Sequence, residues 1–323
     1  MDKVISTVKV ETAPVLLIFF NRPKTLSKIF EQVKKAKPKI LLLYQDGPRA
    51  GKSEEDKIKE CREIVNNVDW ECTVYKYYQE KNIGCDPSEY IAQKWAFSIV
   101  DKCIILEDDD LPSLSFFTYC TLLLDKYEFS NEISIISGMN HEEQTKISED
   151  YLFTKNCSIW GWATWKRVVD NWDTNYTEFL ELGRKKFSKK YSKCFPMKIL
   201  CDAIENHIKS KKEHYESILI YNSLVNNQLT IVPRLNLIVN IGNNPEGGTH
   251  SSTSIDYLPK RIQKLFLMNN YELEVLNHPS AIRENKKYSR KVFSIMGWNC
   301  SIKKYSRKIE VFLRKTWKKL FCR

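Results

Sequence analysis

The chain has 323 residues, 42% hydrophobic and 12% aromatic, enough apolar content to bury a sizeable core and to exclude an intrinsically disordered chain; the length suits one large domain with an appendage, or two small ones. Its formal charge of +11 is accompanied by no zinc-ligand framework, RNA-binding sheet signature or heptad array, so nucleic acid is not the expected partner. The longest apolar runs, "APVLLIFF" and "KILLLY", fall far short of the roughly 20 residues needed by a membrane-spanning helix.

In chain order the pattern alternates. "PVLLIFF" (14–20) reads as a buried strand, and "RPKTLSKIFEQVKKA" follows with Leu26, Ile29, Phe30 and Val33 at helical spacing. "KILLLYQDG" (39–47) is a second buried strand that stops at Asp46-Gly47, and a charged helix is expected over about 53–67. "CTVYKYYQ" (72–79) alternates as a third strand, "SEYIAQKWAFSIV" (88–100) reads as a helix, and "KCIILED" as a fourth strand. This alternation predicts an α/β fold, a mostly parallel sheet with helices on both faces, whose ligands bind at the carboxyl ends of the strands. Further on, residues 286–323 hold 13 Lys/Arg against a single acid, Glu310, so the tail carries the whole charge excess. Within it Ile302, Tyr305, Ile309, Phe312, Leu313, Trp317, Leu320 and Phe321 recur at three- and four-residue intervals between bases. That is the pattern of an amphipathic helix on an anionic membrane surface, the alternative being a helix packed back on the chain's own core. Ten cysteines are scattered without metal-ligand spacing and no charged-then-apolar leader precedes them. The expected location is therefore a reducing cytoplasm, peripheral at the inner face of the plasma membrane.

Glu107, Asp108, Asp109 and Asp110 end the fourth strand. Four adjacent carboxylates repel one another unless a cation, donors or open water compensate them. One reading is a solvated turn before a helix in "LPSLSFFTYCTLLLDKY", with Ser113 or Ser115 near its start, but one acid would suffice for that. The other reading is a divalent cation, Mn²⁺ or Mg²⁺, held by one or two carboxylates and by phosphate oxygens, hence a nucleotide partner.

The run "ILEDDDLPSLSFFTYC" resembles the acidic metal motif of GT-A-fold glycosyltransferases, particularly the Glu-Asp-Asp form followed by Phe-Phe in the N-acetylglucosaminyltransferase I relatives. The similarity extends to bacterial nucleotide-diphospho-sugar transferases of capsule and surface-polysaccharide type through "FNRP", "QDG", "EKNIGC", "ILEDD", "ISGMN", "WGWATWKR" and "IVPRLNLIVNIG" with "GTH", in order from about residue 13 to 250. The resemblance implies a GT-A-like (Rossmann-like) domain over 1–255 and a basic helical extension over 256–323. It implies transfer of a sugar from a nucleotide-diphosphate donor, such as a UDP-sugar, to a glycan or lipid-linked glycan acceptor, with inversion. The departures are a fourth acid, Asp110, and Tyr215-Glu216 standing where an aromatic-acid pair precedes "IVP".

Roles follow from the resemblance. Aligning Phe116-Phe117 makes Asp109 the metal ligand and puts Glu107 and Asp108 nearer the ribose and the metal's waters; the alternative pair, Asp108 and Asp110, would share one face of a continuous strand. Phe19, Asn21, Arg22, Asp46, Asn82 and Gly84 would meet the donor, although Asp46-Gly47 also reads as a plain turn. His250, after a Gly/Asn/Pro-rich loop, is similar in position to a C-terminal metal or phosphate contact, or is a solvated loop histidine. Glu216 is expected to be the base that deprotonates the acceptor, with Glu213 its near competitor. Trp160, Gly161 and Trp162 would line the acceptor pocket, while core packing explains at least one of Trp160, Trp162 and Trp165. The runner-up activity is a metal-dependent nucleotidyltransferase making activated sugars, which usually needs a Gly-rich loop after strand one, and "FFNRPKTL" has no glycine. A non-enzymatic peripheral membrane protein is the third reading.

Overall fold

The computed structural model describes residues 10–192, 196–242, 255, 258–274 and 276–298. His250 and the amphipathic pattern of 302–321 lie outside the described residues.

Strand β1 (Val15–Phe19) is buried along its whole length, and its side chains alternate between two cores: Val15, Leu17 and Phe19 face one, Leu16 and Ile18 the other. A strand covered on both faces has no polar side to show, which is why it reads as a continuous apolar run. Helix α1 (Pro23–Ala36) has proline at its start, where the missing N–H costs nothing, and buries Leu26, Ile29, Phe30 and Val33. It is followed by β2 (Ile40–Gln45), α2 (Glu55–Asn66), β3 (Thr73–Tyr78), α3 (Cys85–Ile99) and β4 (Lys102–Glu107).

Beyond β4 come β5 (Asp110–Pro112), α4 (Leu114–Lys126), β6 (Ile133–Ser137), β7 (Tyr151–Thr154) and β8 (Trp162–Trp165). Helices α5 (Lys166–Asp170), α6 (Thr177–Tyr191), α7 (Met197–Ser210) and α8 (Tyr215–Val225) precede β9 (Leu229–Pro233) and β10 (Ile238–Asn240). Helices α9 (Lys260–Phe266) and α10 (Lys286–Met296) follow.

Eight strands form one sheet in the order β3-β2-β1-β4-β8-β6-β9-β7. The pairs β3-β2, β2-β1, β1-β4 and β6-β9 are parallel, whereas β8 and β7 run against their neighbours. The sheet is thus mostly parallel, with two reversed strands in its C-terminal half. Helices α1, α2 and α4 contribute to the core on one face, and α3 and α5 to α8 to the core on the other. Tyr288 and Val292 of α10 pack on Leu152 and Val232 of β7 and β9. No described helix is long and apolar enough to cross a membrane.

The chain winds from β1 outward to β2 and β3, then returns to place β4 on the other side of β1. In open α/β sheets the crevice beyond the carboxyl ends of two such strands is where ligands bind. Phe19 ends β1 there and Glu107 ends β4.

Candidate active site

The four acids do not share one environment. Strand β4 stops at Glu107, Asp108 and Asp109 form a turn, and β5 restarts at Asp110, which pairs with Asn240 of β10. That break removes the basis for placing Asp108 and Asp110 on one face, because alternation holds only along an uninterrupted strand. Asp108 turns toward β1: its Oδ2 accepts the Phe20 N–H at 3.0 Å and its Oδ1 lies 2.6 Å from the Arg22 guanidinium. Asp109 receives the other arm of Arg22 on Oδ2 and the Asn240 amide on Oδ1 at 3.0 Å. Asp110 turns away to the Gly161 N–H at 2.8 Å. Gly161 has φ +52°, and a Cβ there would lie 2.0 Å from Ile238 Cδ1, so glycine is required where Asp110 grips the chain.

Arg22 is therefore the cation opposite the acids. Burial alone would lower its pKa, but the charges of Asp108 and Asp109 outweigh that and keep it protonated at any working pH. One guanidinium does not offset the whole group. Burial, then neighbouring carboxylates, raises Glu107 well above the usual range, and burial with Asp109 does the same to Asp110. Burial pushes Asp108 up to about 6 although Arg22 pulls the other way.

The helix-capping reading of the acids fails on a specific contact. Ser113 is the residue before α4, but its side chain caps nothing. Glu272 takes the first-turn amides of Leu114 and Ser115 at 2.9 and 2.7 Å. Thus 107–110 are free of that duty.

Asp46 organises the neighbouring wall. Its carboxylate accepts Gly47 N–H (2.8 Å), Ile83 N–H (3.0 Å), Gly84 N–H (3.1 Å) and the Asn82 amide (2.7 Å), tying the end of β2 to the loop before α3. Gly84 sits at φ +98°, a conformation that lets the loop turn into α3. Asn21 donates to Glu54 at 3.1 Å, a carboxylate that also holds Arg49. Between these walls is a cavity of about 80 Å³ whose lining includes Phe19, Arg22, Asp46, Asn82, Gly84, Glu107 and Asp108. The fold thus brings seven of the eight donor-contact candidates into one cleft, and Asn21 into the adjoining network.

The other candidates are placed elsewhere. Glu216, in the first turn of α8, lines a separate cavity of about 250 Å³ with His214, Ser217, Ile159, Leu200 and Trp298. The Trp162 indole is buried in the core, whereas Trp160 is half-buried against Phe266, with ring centroids 5.0 Å apart. Trp165 is buried and donates to the Leu124 carbonyl at 2.9 Å.

Sequence reasoning missed Asn240, Arg49 and Glu89, the last lining the cleft from α3. Glu89 had a legible signal: positions 89, 92, 93, 96 and 97 are the buried stripe of α3, and Glu89 and Gln93 are polar within it. Among the described residues no three His, Cys, Asp or Glu side chains converge as a metal cage. The carboxylates still suit a hard cation, being oxygen donors in excess over Arg22, and such an ion bound with phosphates needs only one or two of them.

No protein-family model and no curated protein matches the chain. Among solved structures it is similar to a mannosyltransferase from Pyrobaculum calidifontis in complex with GDP-Man and Mn²⁺, at 9% identity and TM-score 0.34. That match covers 50% of this chain and 47% of the other, about half of the mannosyltransferase. It is also similar to an apo UDP-glucose pyrophosphorylase (9% identity, 70% of this chain, 93% of that one, TM-score 0.34). A third is a 4-diphosphocytidyl-2C-methyl-D-erythritol synthase from Anaerococcus prevotii (10% identity, 68% and 87% coverage, TM-score 0.33).

Proposed function

We propose that the chain is a metal-dependent glycosyltransferase that moves a sugar from a nucleotide-diphosphate donor, a UDP-sugar in the first instance, to a glycan or lipid-linked acceptor with inversion. The observation that carries this reading is the cleft at the β1/β4 switch point, where Phe19, Arg22, Asp46, Asn82, Gly84, Glu107 and Asp108 converge. The nucleoside would enter beside Asp46 and Asn82, and the diphosphate toward Arg22 and the acids. Asp109 would hold a divalent cation, with His250 as a second contact and Asp110 as the alternative ligand; the ion supplies charge neutralisation for the departing diphosphate. Asp110 is the weaker choice because it is 1% exposed and turned away to Gly161, whereas Asp109 is 8% exposed and faces Arg22.

In the transfer, an acceptor hydroxyl oxygen bonds to the anomeric carbon as the bond from that carbon to the diphosphate breaks. The bonding electrons leave with the nucleoside diphosphate, and the hydroxyl proton passes to Glu216. Trp160, Gly161 and Trp162 would line the acceptor side, with Trp160, half-buried against Phe266, as the indole that the acceptor meets. Domain limits of 1–255 for the transferase and 256–323 for a membrane-contacting extension complete the proposal.

The test is calorimetric titration of Mn²⁺ with UDP or GDP into the wild-type chain and into Asp109→Ala, followed by a donor-panel hydrolysis assay. Metal-dependent nucleotide binding that Asp109→Ala abolishes supports the reading. Equal binding in both refutes the metal assignment. Release of pyrophosphate from a nucleoside triphosphate plus a sugar phosphate would assign a nucleotidyltransferase, and binding of neither UDP nor GDP would refute the nucleotide-sugar reading and favour the non-enzymatic one.

A further inference from the structure

Among the described residues, Glu89 in the cleft lining and two buried polar side chains behind it, Gln93 and Tyr215, carry polar atoms without a hydrogen-bond partner. Glu89 and Gln93 lie one turn apart on the inward face of α3, 3% and 0% exposed, and Tyr215 opens α8 at 3% exposed. Among the described residues, Glu89 Oε2, both polar atoms of Gln93 and the Tyr215 hydroxyl make no hydrogen bond. Helix α8 packs on α3. The Tyr215 phenol is close enough to Glu89 and Glu107 for their charges to add to burial in raising its pKa. Glu89 itself lines the cleft with Glu107 and Asp108.

Buried polar atoms in native proteins are nearly always paired, so several orphans in one place mark groups that acquire partners on binding. Leucine or methionine at 93 would continue the buried stripe of Ala92, Ala96 and Phe97 without that penalty. The kind of partner follows from the donors and acceptors. An amide, a phenol and a carboxyl together both donate and accept, which matches alcohols, since each hydroxyl does the same. A phosphate only accepts and would leave the Gln93 carbonyl oxygen without a donor. A metal ion would leave the Gln93 amide N–H without a partner.

We propose that Glu89, Gln93 and Tyr215 form the hydroxyl-recognition set for the sugar of the bound donor. The inference rests on the nucleotide-sugar reading of the cleft and adds the residues that distinguish a nucleotide sugar from its bare nucleotide. Once bound, the ring hydroxyls supply the missing hydrogen bonds, and Glu89 orients the sugar rather than taking part in bond breaking.

The experiment compares UDP with UDP-glucose, and GDP with GDP-mannose, by calorimetry with Mn²⁺ on the full chain, for wild type, Gln93→Leu and Glu89→Gln, alongside thermal unfolding. The expected result is nucleotide affinity unchanged within about twofold, nucleotide-sugar affinity reduced roughly 10-fold for each lost hydrogen bond, and a raised Tm in Gln93→Leu. Should Gln93→Leu fail to fold, Glu89→Gln, which keeps the side-chain shape, gives the same comparison. Equal losses for nucleotide and nucleotide sugar would overturn the assignment. So would a raised Tm with unchanged sugar affinity, which would mean that buried water alone serves these groups. If wild type binds neither UDP nor GDP, the cleft reading itself fails and this assignment falls with it; binding of nucleotides with no variant effect sinks the assignment alone.

Discussion

Replacing Arg22 with glutamine removes the guanidinium that bridges Asp108 and Asp109 while keeping most of the stem. The Arg22 side chain is 21% exposed, but Asp108 is 1% exposed, so the loss leaves a buried carboxylate facing another one. Breaking a buried pair from one side costs about 3–5 kcal/mol, and the exposure of Arg22 argues for about 3. The charge origin of this cost fixes its pH dependence. Asp108 has a folded pKa of about 6, above its usual value of 3.8. A raised carboxyl makes the folded state bind more protons than the unfolded one between those values, so stability falls as pH rises through that window, by about 3 kcal/mol for a gap of about two pH units. Without Arg22 the proton is held to still higher pH. The variant should therefore lose about 3 kcal/mol near pH 7.5 but under about 1 kcal/mol near pH 4, where Asp108 approaches full protonation in the folded variant. Urea unfolding of both proteins at the two pH values and matched ionic strength measures this. Equal destabilisation at both would refute the ion-pair account and point to lost packing of the arginine stem.

Glu216→Gln should keep nucleotide affinity, because Glu216 lies outside the nucleotide cleft, and should lower the transfer rate by about 10²–10⁴-fold, checked by steady-state kinetics beside UDP calorimetry. Loss of donor binding instead would show the residue to be misplaced. Gly161→Ala forces a Cβ into Ile238 and strains a positive φ; the clash alone should cost about 1–3 kcal/mol, read as a fall in urea midpoint, and the β10 edge beside Asp109 should loosen with it. A chain ending at residue 298, after α10, should lose low-salt co-sedimentation with anionic vesicles that the full chain shows, since each base near such a surface contributes about 1 kcal/mol at most and salt screens it. Both chains remaining in the supernatant would exclude membrane contact through the tail and favour a soluble acceptor.

The N-terminal half of the sheet was legible because its geometry leaves a direct trace in the residues. Val15–Phe19 and Ile40–Gln45 are covered on both faces, so their runs have no polar interruption. Helix α1 shows its four buried positions at the expected intervals. The start of α3 was less legible: the helix begins at Cys85 rather than Ser88, with Pro87 in its first turn, a place where proline is tolerated but usually read as a break. The reversed strands β7 and β8 left little signal, since nothing local distinguishes a short buried strand that runs up from one that runs down. The convergence of Asp46, Asn82 and Gly84 was visible only as a shared sheet edge. That one carboxylate collects all their donors depends on a loop shape that sequence spacing does not encode.

The acid run shows why residue identity and residue role separate at such a site. Its excess over any capping need is evident from the sequence, and in the fold three of the four acids meet protein donors. The partners are divided by a turn: Asp108 meets β1, Asp109 meets Arg22 and Asn240, and Asp110 turns back to hold Gly161. Only a break in the strand between Glu107 and Asp110 produces this divergence, because an unbroken strand would send 108 and 110 the same way. The resemblance makes Arg22 a donor contact, and its guanidinium is engaged by Asp108 and Asp109. These readings are compatible if the acids hold the arginine until a cation takes over their charge, after which the guanidinium is free to turn to the diphosphate. In that exchange Asp108 and Asp109 would lose one cation as they gained another, so that pair would keep a counter-charge. Metal and nucleotide would then bind with positive coupling, because each removes a competitor of the other. The coupling has to be reciprocal: UDP should tighten Mn²⁺ binding by the same factor that Mn²⁺ tightens UDP binding. In Arg22→Gln the carboxylates start free, so Mn²⁺ alone should bind more tightly than in wild type while the factor shrinks toward one. A factor unchanged in that variant would show that Arg22 is a static support for the turn and takes no part in the exchange.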